Sequence, residues 1–131
     1  MSKEFKSILG SCKNLNHLIK DKFAYFGKIT YDYSNEIKNY NNTIVLTKER
    51  ENHILERHPE MKIYISELIE YINSPDVILS DKKYNDTKNI IKYVEEKSFI
   101  FITVKFAKPD DLVLSSIISA RYQIIRKNKK R

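Results

Sequence analysis

DVILSDKKYNDTKNIIKYVEEKSFIFITVKF, residues 76–106, is the stretch whose reading decides the fold. It contains three short runs rich in Ile, Val, Phe and Tyr: DVILS (76–80), NIIKYVE (89–95) and SFIFITVKF (98–106). Such residues fit a pleated, half-buried surface. The runs are separated by the turn-prone DKKYND and EEK. Connections this short suit antiparallel neighbours, because a parallel pair needs a crossover of a dozen or more residues. Beyond AKPDD (107–111), the run LVLSSIISARYQII (112–125) reads as a further strand. The expectation is a meander of about four strands.

Upstream of the meander the periodicity changes. Ile65, Leu68, Ile69 and Ile72 recur at i, i+3, i+4, i+7, the stripe of a core-facing helix, and Asn73 and Pro75 end it. TIVLT (43–47) is a short β-branched run and KITYDY (28–33) alternates, so both read as strands, with NEIKNYNN (35–42) as a loop between them. Phe5, Ile8, Leu9, Cys12, Leu15 and Ile19 recur at helical spacing, which predicts a helix over 3–26 stopped by Gly27. The whole reads as an α+β fold: N-terminal helices packed on a roughly four-stranded antiparallel sheet. The expected divisions are an N-terminal helical segment over 1–27, an α+β domain over 28–125 and a basic tail over 126–131.

Bulk composition narrows the class. The 131 residues fit one domain, and a hydrophobic fraction of 41% supplies a core. No stretch is apolar for long enough to span a membrane, and the first residues lack the apolar run of a signal peptide. The single cysteine, Cys12, excludes an intramolecular disulfide and a cysteine zinc site. These features point to a cytoplasmic protein. The formal charge is +7, no acid follows Asp111, and five of the last six residues, Arg126 to Arg131, are cations. Such an end attracts a polyanion, whether RNA, DNA or an anionic surface, although a short basic terminus also serves simply as a solvated tail.

The densest chemistry lies in HILERHPE, residues 53–60. Thr47 is a natural N-cap, with Glu49 in the first turn, and Pro59 pushes the residue before it out of the helical region. On a helix over 48–58, at about 100° per residue, Arg57 and Arg50 share a face with His53. His58 lies at the boundary, where the chain bends. A histidine titrates near neutrality and can move a proton, and an arginine can grip a phosphate bidentately. Together they suit phosphodiester cleavage by the RNA 2′-OH, a reaction that needs no metal. A solvated basic face is the plainer alternative. The five-residue separation of His53 and His58 is not the HExxH pattern, so no metal is expected. The two glycines of the chain also exclude a P-loop, a dinucleotide fingerprint and a GxSxG elbow.

The order of segments carries a resemblance. LTKERENHILERHPEM, then NSPDVILSD, then NIIKYV, then SSIISARYQI resembles the phage-associated branch of the barnase/EndoU/colicin/RelE-like nucleases. That branch typically shows T-x-E-R-x-x-H-I-x-x-R-H-P, an N-P-D-x-I turn and a closing N-S-V-I-T-A strand. The match covers roughly residues 43 to 125. The chain departs from it at Ser115, where asparagine is usual, at Ser119, where threonine is usual, and at Ser74, inserted before Pro75. The resemblance implies a metal-independent endoribonuclease, a toxin or effector. It implies catalytic positions at His53, Arg57, His58, Lys92 and Ser119, with Ser116 on the same closing motif. Its ligand would be RNA, tRNA among the candidates, and an inhibitor or antitoxin protein would be its partner. No cofactor and no membrane contact are expected.

Alternation along the closing strand puts Ser115, Ile117, Ser119 and Arg121 on one face. With helix 48–58 packed against that face, His53 and Arg57 would approach Ser119 and Arg121 across a cleft. Arg50 and Arg121 would then bind substrate. Lys92 would join them, or would merely blunt an edge strand. The competing functional class is a non-catalytic nucleic-acid-binding module that uses the basic helix face and tail. A third is an assembly protein built on the N-terminal stripe.

Overall fold

The computed structural model describes residues 22–109 and 114–125. Its architecture is α+β, and it corrects the expected one. Six strands form one mixed sheet in the order β1-β2-β6-β5-β4-β3. Among the described residues the two α-helical elements lie in mid-sequence. The strands are β1 Phe23–Lys28, β2 Thr43–Thr47, β3 Val77–Ser80, β4 Thr87–Glu95, β5 Ser98–Lys105 and β6 Ser115–Ile124. The helices are α1 Lys48–Arg57 and α2 Leu68–Ile72, joined through two 3₁₀ turns, Pro59–Ile63 and Ile65–Glu67.

The meander from β3 to β6 is antiparallel throughout, as the short connections require. The sheet becomes mixed because β2 joins it parallel to β6, with Ile44 opposite Ser115 and Val45 opposite Ser116. The intervening helices and three strands supply the crossover that a parallel pair needs. Ser115 locks the junction: its hydroxyl donates to the Asn41 carbonyl at 2.7 Å and accepts the Ala107 N–H at 3.1 Å.

The expected helix over 3–26 fails at its far end, since FAYFGK is the edge strand β1, antiparallel to β2. Aromatic residues suit a strand better than a helix, and pairing with β2 decides the matter. Residues 3–21 of that expectation lie outside the described residues. Gly27 is not a helix stop: a Cβ there would sit 3.2 Å from the Ile69 side chain, so its bareness lets α2 lie against β1. KITYDY is likewise not a strand beyond Lys28. Instead Tyr33 plugs the core, its hydroxyl donating to the Ile72 carbonyl, with Phe106 and Tyr40 around its ring. Asn73, past the end of α2, accepts the Thr30 N–H and donates to the Lys28 carbonyl, tying this loop to the helix.

Helix α1 begins and ends where its residues dictate. The Thr47 side chain accepts the Arg50 N–H, and His58 before Pro59 leaves the helical region at φ −136°. The Ile65–Ile72 stripe is split between 3₁₀ and α turns, yet Ile65, Leu68 and Ile72 are buried. They meet Ile54 and Met61 above the sheet residues Ile44, Leu46, Ile90, Ile100, Ile102, Val104, Ile117 and Ala120. Each buried Ile, Leu, Val or Met among them contributes about 1.5–3 kcal/mol by leaving water. Helices α1 and α2 both lie on this one side of the sheet. None of these helices is long and apolar enough to cross a membrane.

Candidate nucleic-acid interface

Strand β5 sorts the two sides of the sheet. Its residues alternate buried and half-buried from Ser98 to Val104. Ile100, Ile102 and Val104 enter the core beneath the helices. Phe99, Phe101, Thr103 and Lys105 therefore point to the opposite side. Cross-strand pairing extends that side into rows: Tyr93–Phe99–Gln123, Ile91–Phe101–Arg121, Asn89–Thr103–Ser119 and Thr87–Lys105–Ser116.

The aromatic rows have defined contacts. Tyr93 meets Phe99 edge-on at 6.2 Å between ring centroids. The Arg121 guanidinium lies over the Phe101 ring at 4.5 Å. Tyr93 is 49% exposed and Phe99 is half-buried, and over Phe101 it is the Arg121 guanidinium that caps the ring. Thr103 Oγ1 donates to Asn89 Oδ1 at 2.8 Å, which leaves the threonine lone pairs for an incoming donor. Flat rings beside a planar cation and small polar groups are the elements that stack bases and grip phosphate.

The expected cleft does not assemble. Strand β6 carries a bulge: Ser119 pairs with Thr103, Ile117 pairs with Val104, and Ile118 is the extra residue. The bulge breaks the alternation expected along the strand. Ile117 turns toward the helices, whereas Ser116, Ser119 and Arg121 turn to the open side. Tyr122 returns to the helix side and stacks on Tyr64 at 5.6 Å. Burial raises the Tyr64 hydroxyl pKa, helped by Glu95 and Tyr122.

The helix residues stand apart from these. Arg50, His53 and Arg57 are exposed on α1, each about one turn from the next. His58 sits at its C-cap, with Nδ1 3.7 Å from Glu60. Lys92 pairs with Ile100 and so lies on the helix side, its ammonium donating to the Ser74 carbonyl at 2.7 Å with Asp76 at 3.9 Å. Among the described residues no group of three or more His, Cys, Asp or Glu side chains could hold a metal. The structure thus brings Arg50, His53 and Arg57 together, and Ser116, Ser119 and Arg121 together, on opposite sides of the sheet.

Sequence reasoning missed Tyr93, Phe99, Phe101, Asn89 and Thr103 as a set. The signal was present in SFIFITVK, where Phe-x-Phe-x-Thr-x-Lys alternates with branched aliphatics.

No protein-family model, no curated protein and no solved structure matches the chain. The resemblance to the barnase/EndoU/colicin/RelE-like nucleases is therefore withdrawn. The six-stranded mixed sheet and its internal helices also differ from the architecture that resemblance implied. A helix capped by Thr47, with acids in its first turn and Pro59 beyond its end, accounts for much of the segment that suggested it.

Proposed function

We propose that the domain binds single-stranded RNA on the side of its sheet opposite α1 and α2. One observation carries this reading: Arg121 lies over Phe101, with Phe99 and Tyr93 one row away on the same open surface. Bases stack on the rings and the guanidinium, and phosphates meet the cations. The sequence adds five cations among the six residues after Ile125, just beyond β6, the strand that bears Arg121. The described residues alone carry 15 Lys and Arg against 13 Asp and Glu, so most of the +7 surplus lies in the remaining segments. The long-range pull on a polyanion comes mainly from those segments, and contact comes from the sheet. We assign the protein to the cytoplasm, where single-stranded RNA is abundant.

Titration of a fluorescent oligoribonucleotide with the full chain tests the reading. Binding should fall steeply with salt, exceed binding to a duplex of the same length, and leave the RNA uncut. Equal binding to the duplex, or association of the protein with itself through this face in place of RNA, would overturn it.

A second reading is metal-independent endoribonuclease activity by 2′-OH attack, with an inhibitor protein as its partner. Exposed His53 between Arg50 and Arg57 favours it, a proton carrier beside two phosphate-gripping groups. RNA cleavage that resists EDTA and vanishes in His53→Ala would establish it. Cleavage retained in His53→Ala/His58→Ala would eliminate it.

A further inference from the structure

At the end of the open face, around the row Thr87–Lys105–Ser116, two hollows adjoin. The smaller, about 310 Å³, is lined by Asp81, Tyr84, Asp86, Thr103 and Lys105 among others. The larger, about 540 Å³, is lined by Lys38, Asn39, Lys105 and Lys108 among others, and shares Asp86 and Lys105 with the first. Both fall in the lower part of the size range of small-ligand sites.

Their chemistry is divided. Three lysines border the larger hollow, and none forms an ion pair with a described residue. They suit a phosphate. Asp81 and Asp86 border the smaller one, with Asp86 and Lys105 lying where the two hollows meet, and a carboxylate only accepts hydrogen bonds. Asp81 is largely committed: its Oδ2 takes the Lys83 and Tyr84 N–H groups, both at 2.9 Å. That turn sets Tyr84, 54% exposed, at the rim. Asp86 is less committed. Its Oδ1 takes the Thr87 hydroxyl at 3.1 Å, and its carbonyl takes the Phe106 N–H at 2.7 Å, which fixes the backbone behind it.

A ligand that satisfies both hollows has a phosphate at one end and paired donors at the other. Guanine presents an adjacent N–H and NH₂ to a carboxylate. Adenine and cytosine present only an amino group there, and uracil flanks its one N–H with carbonyls. We propose that the paired hollows hold one guanine nucleotide unit, with its base edge on Asp86, its ring against Tyr84 and its phosphate among Lys38, Lys105 and Lys108. The proposal rests on the nucleic-acid reading and adds base preference to it. The unit comes either from an RNA strand or from a free guanosine monophosphate.

Two arms separate these sources and separate this proposal from the reading beneath it. The first measures anisotropy of a labelled oligouridylate and of the same strand carrying one guanine. The guanine should tighten binding about tenfold, within what one bidentate base contact provides. Asp86→Asn and, separately, Tyr84→Ala should erase that gain and leave oligouridylate binding unchanged. The second arm titrates the chain with guanosine, inosine and uridine monophosphates by NMR. Guanosine monophosphate should bind best, inosine monophosphate less for want of the amino group, and Lys38→Ala/Lys108→Ala should weaken guanosine monophosphate binding. Oligouridylate bound with no gain from guanine, and no preference among the mononucleotides, overturns the guanine site alone. Neither strand bound, with guanosine monophosphate still preferred over uridine monophosphate, overturns the RNA reading and leaves a free-nucleotide site. An undiminished guanine gain in Asp86→Asn overturns the assigned contact.

Discussion

Ile102 and Phe101 are neighbours on one strand, yet they belong to different parts of the molecule. Ile102 is fully buried beneath the helices, and Phe101 is half-buried under the guanidinium of Arg121. The covered side of the sheet is aliphatic and close-packed, and stability resides there. The open side carries rings, hydroxyls and cations with less packing to satisfy, so substitution there should act on binding. On the proposed reading, one six-stranded sheet separates folding from recognition by the two-residue period of its strands.

The sharpest way to break that comparison is to cut into the covered side. Ile102→Ala leaves a cavity in the buried cluster to which Ile54 and Leu68 also belong and should cost about 2–5 kcal/mol in urea denaturation. RNA affinity of the folded fraction should not change. Next in size is the cap of α1. Thr47→Ala removes the acceptor of the Arg50 N–H, 3.1 Å away, and should cost about 0.5–2 kcal/mol, again with RNA binding preserved.

Tyr33→Phe deletes the hydroxyl donated to the Ile72 carbonyl and should cost about 0.5–1.5 kcal/mol near neutral pH. It also carries a pH signature. Burial, reinforced by Tyr31, Tyr40 and Glu36, raises the Tyr33 hydroxyl well above its ordinary value of 10.0. The folded state therefore keeps a proton that the unfolded state loses. This stability is fully present below about pH 10 and declines as pH rises toward the folded value. Denaturation from pH 8 to 11 should show a smaller alkaline loss for Tyr33→Phe than for the unaltered chain. The smallest effect belongs to the open side: Arg121→Ala should cost about 0.5–1 kcal/mol of RNA affinity by removing the guanidinium that would stack on a base and meet a phosphate. It should also flatten the salt dependence by about one phosphate contact.

Much of the covered side was legible in the sequence. The runs at 76–80, 89–95 and 98–106 are strands because their apolar density leaves no other use for them, and Thr47 and Pro59 bracket a helix by local chemistry alone. The failures have physical causes. FAYFGK follows a helical stripe, and only its pairing with β2 makes it a strand. The parallel β2–β6 pair joins residues about 70 apart, which local patterning does not encode. The site expectation failed at the bulge. SSIIS is nearly symmetric in hydrophobicity, so the point where an extra residue enters is invisible until β5 is laid beside it. That one residue places Ser119 and Arg121 across the sheet from His53. The open face itself was readable in Phe-x-Phe-x-Thr-x-Lys, had the alternation been taken as two surfaces rather than one apolar strand.

The central claim is that RNA lies on the open rings and not along α1. Affinity for a single-stranded oligoribonucleotide, measured in parallel for Phe99→Ala/Phe101→Ala and for Arg50→Ala/His53→Ala/Arg57→Ala, tests it most directly. Loss of both rings should weaken binding by about 1–3 kcal/mol for each base unstacked, with the helix variant close to the unaltered chain. Unchanged affinity without the rings, with binding lost from the helix variant, would contradict it.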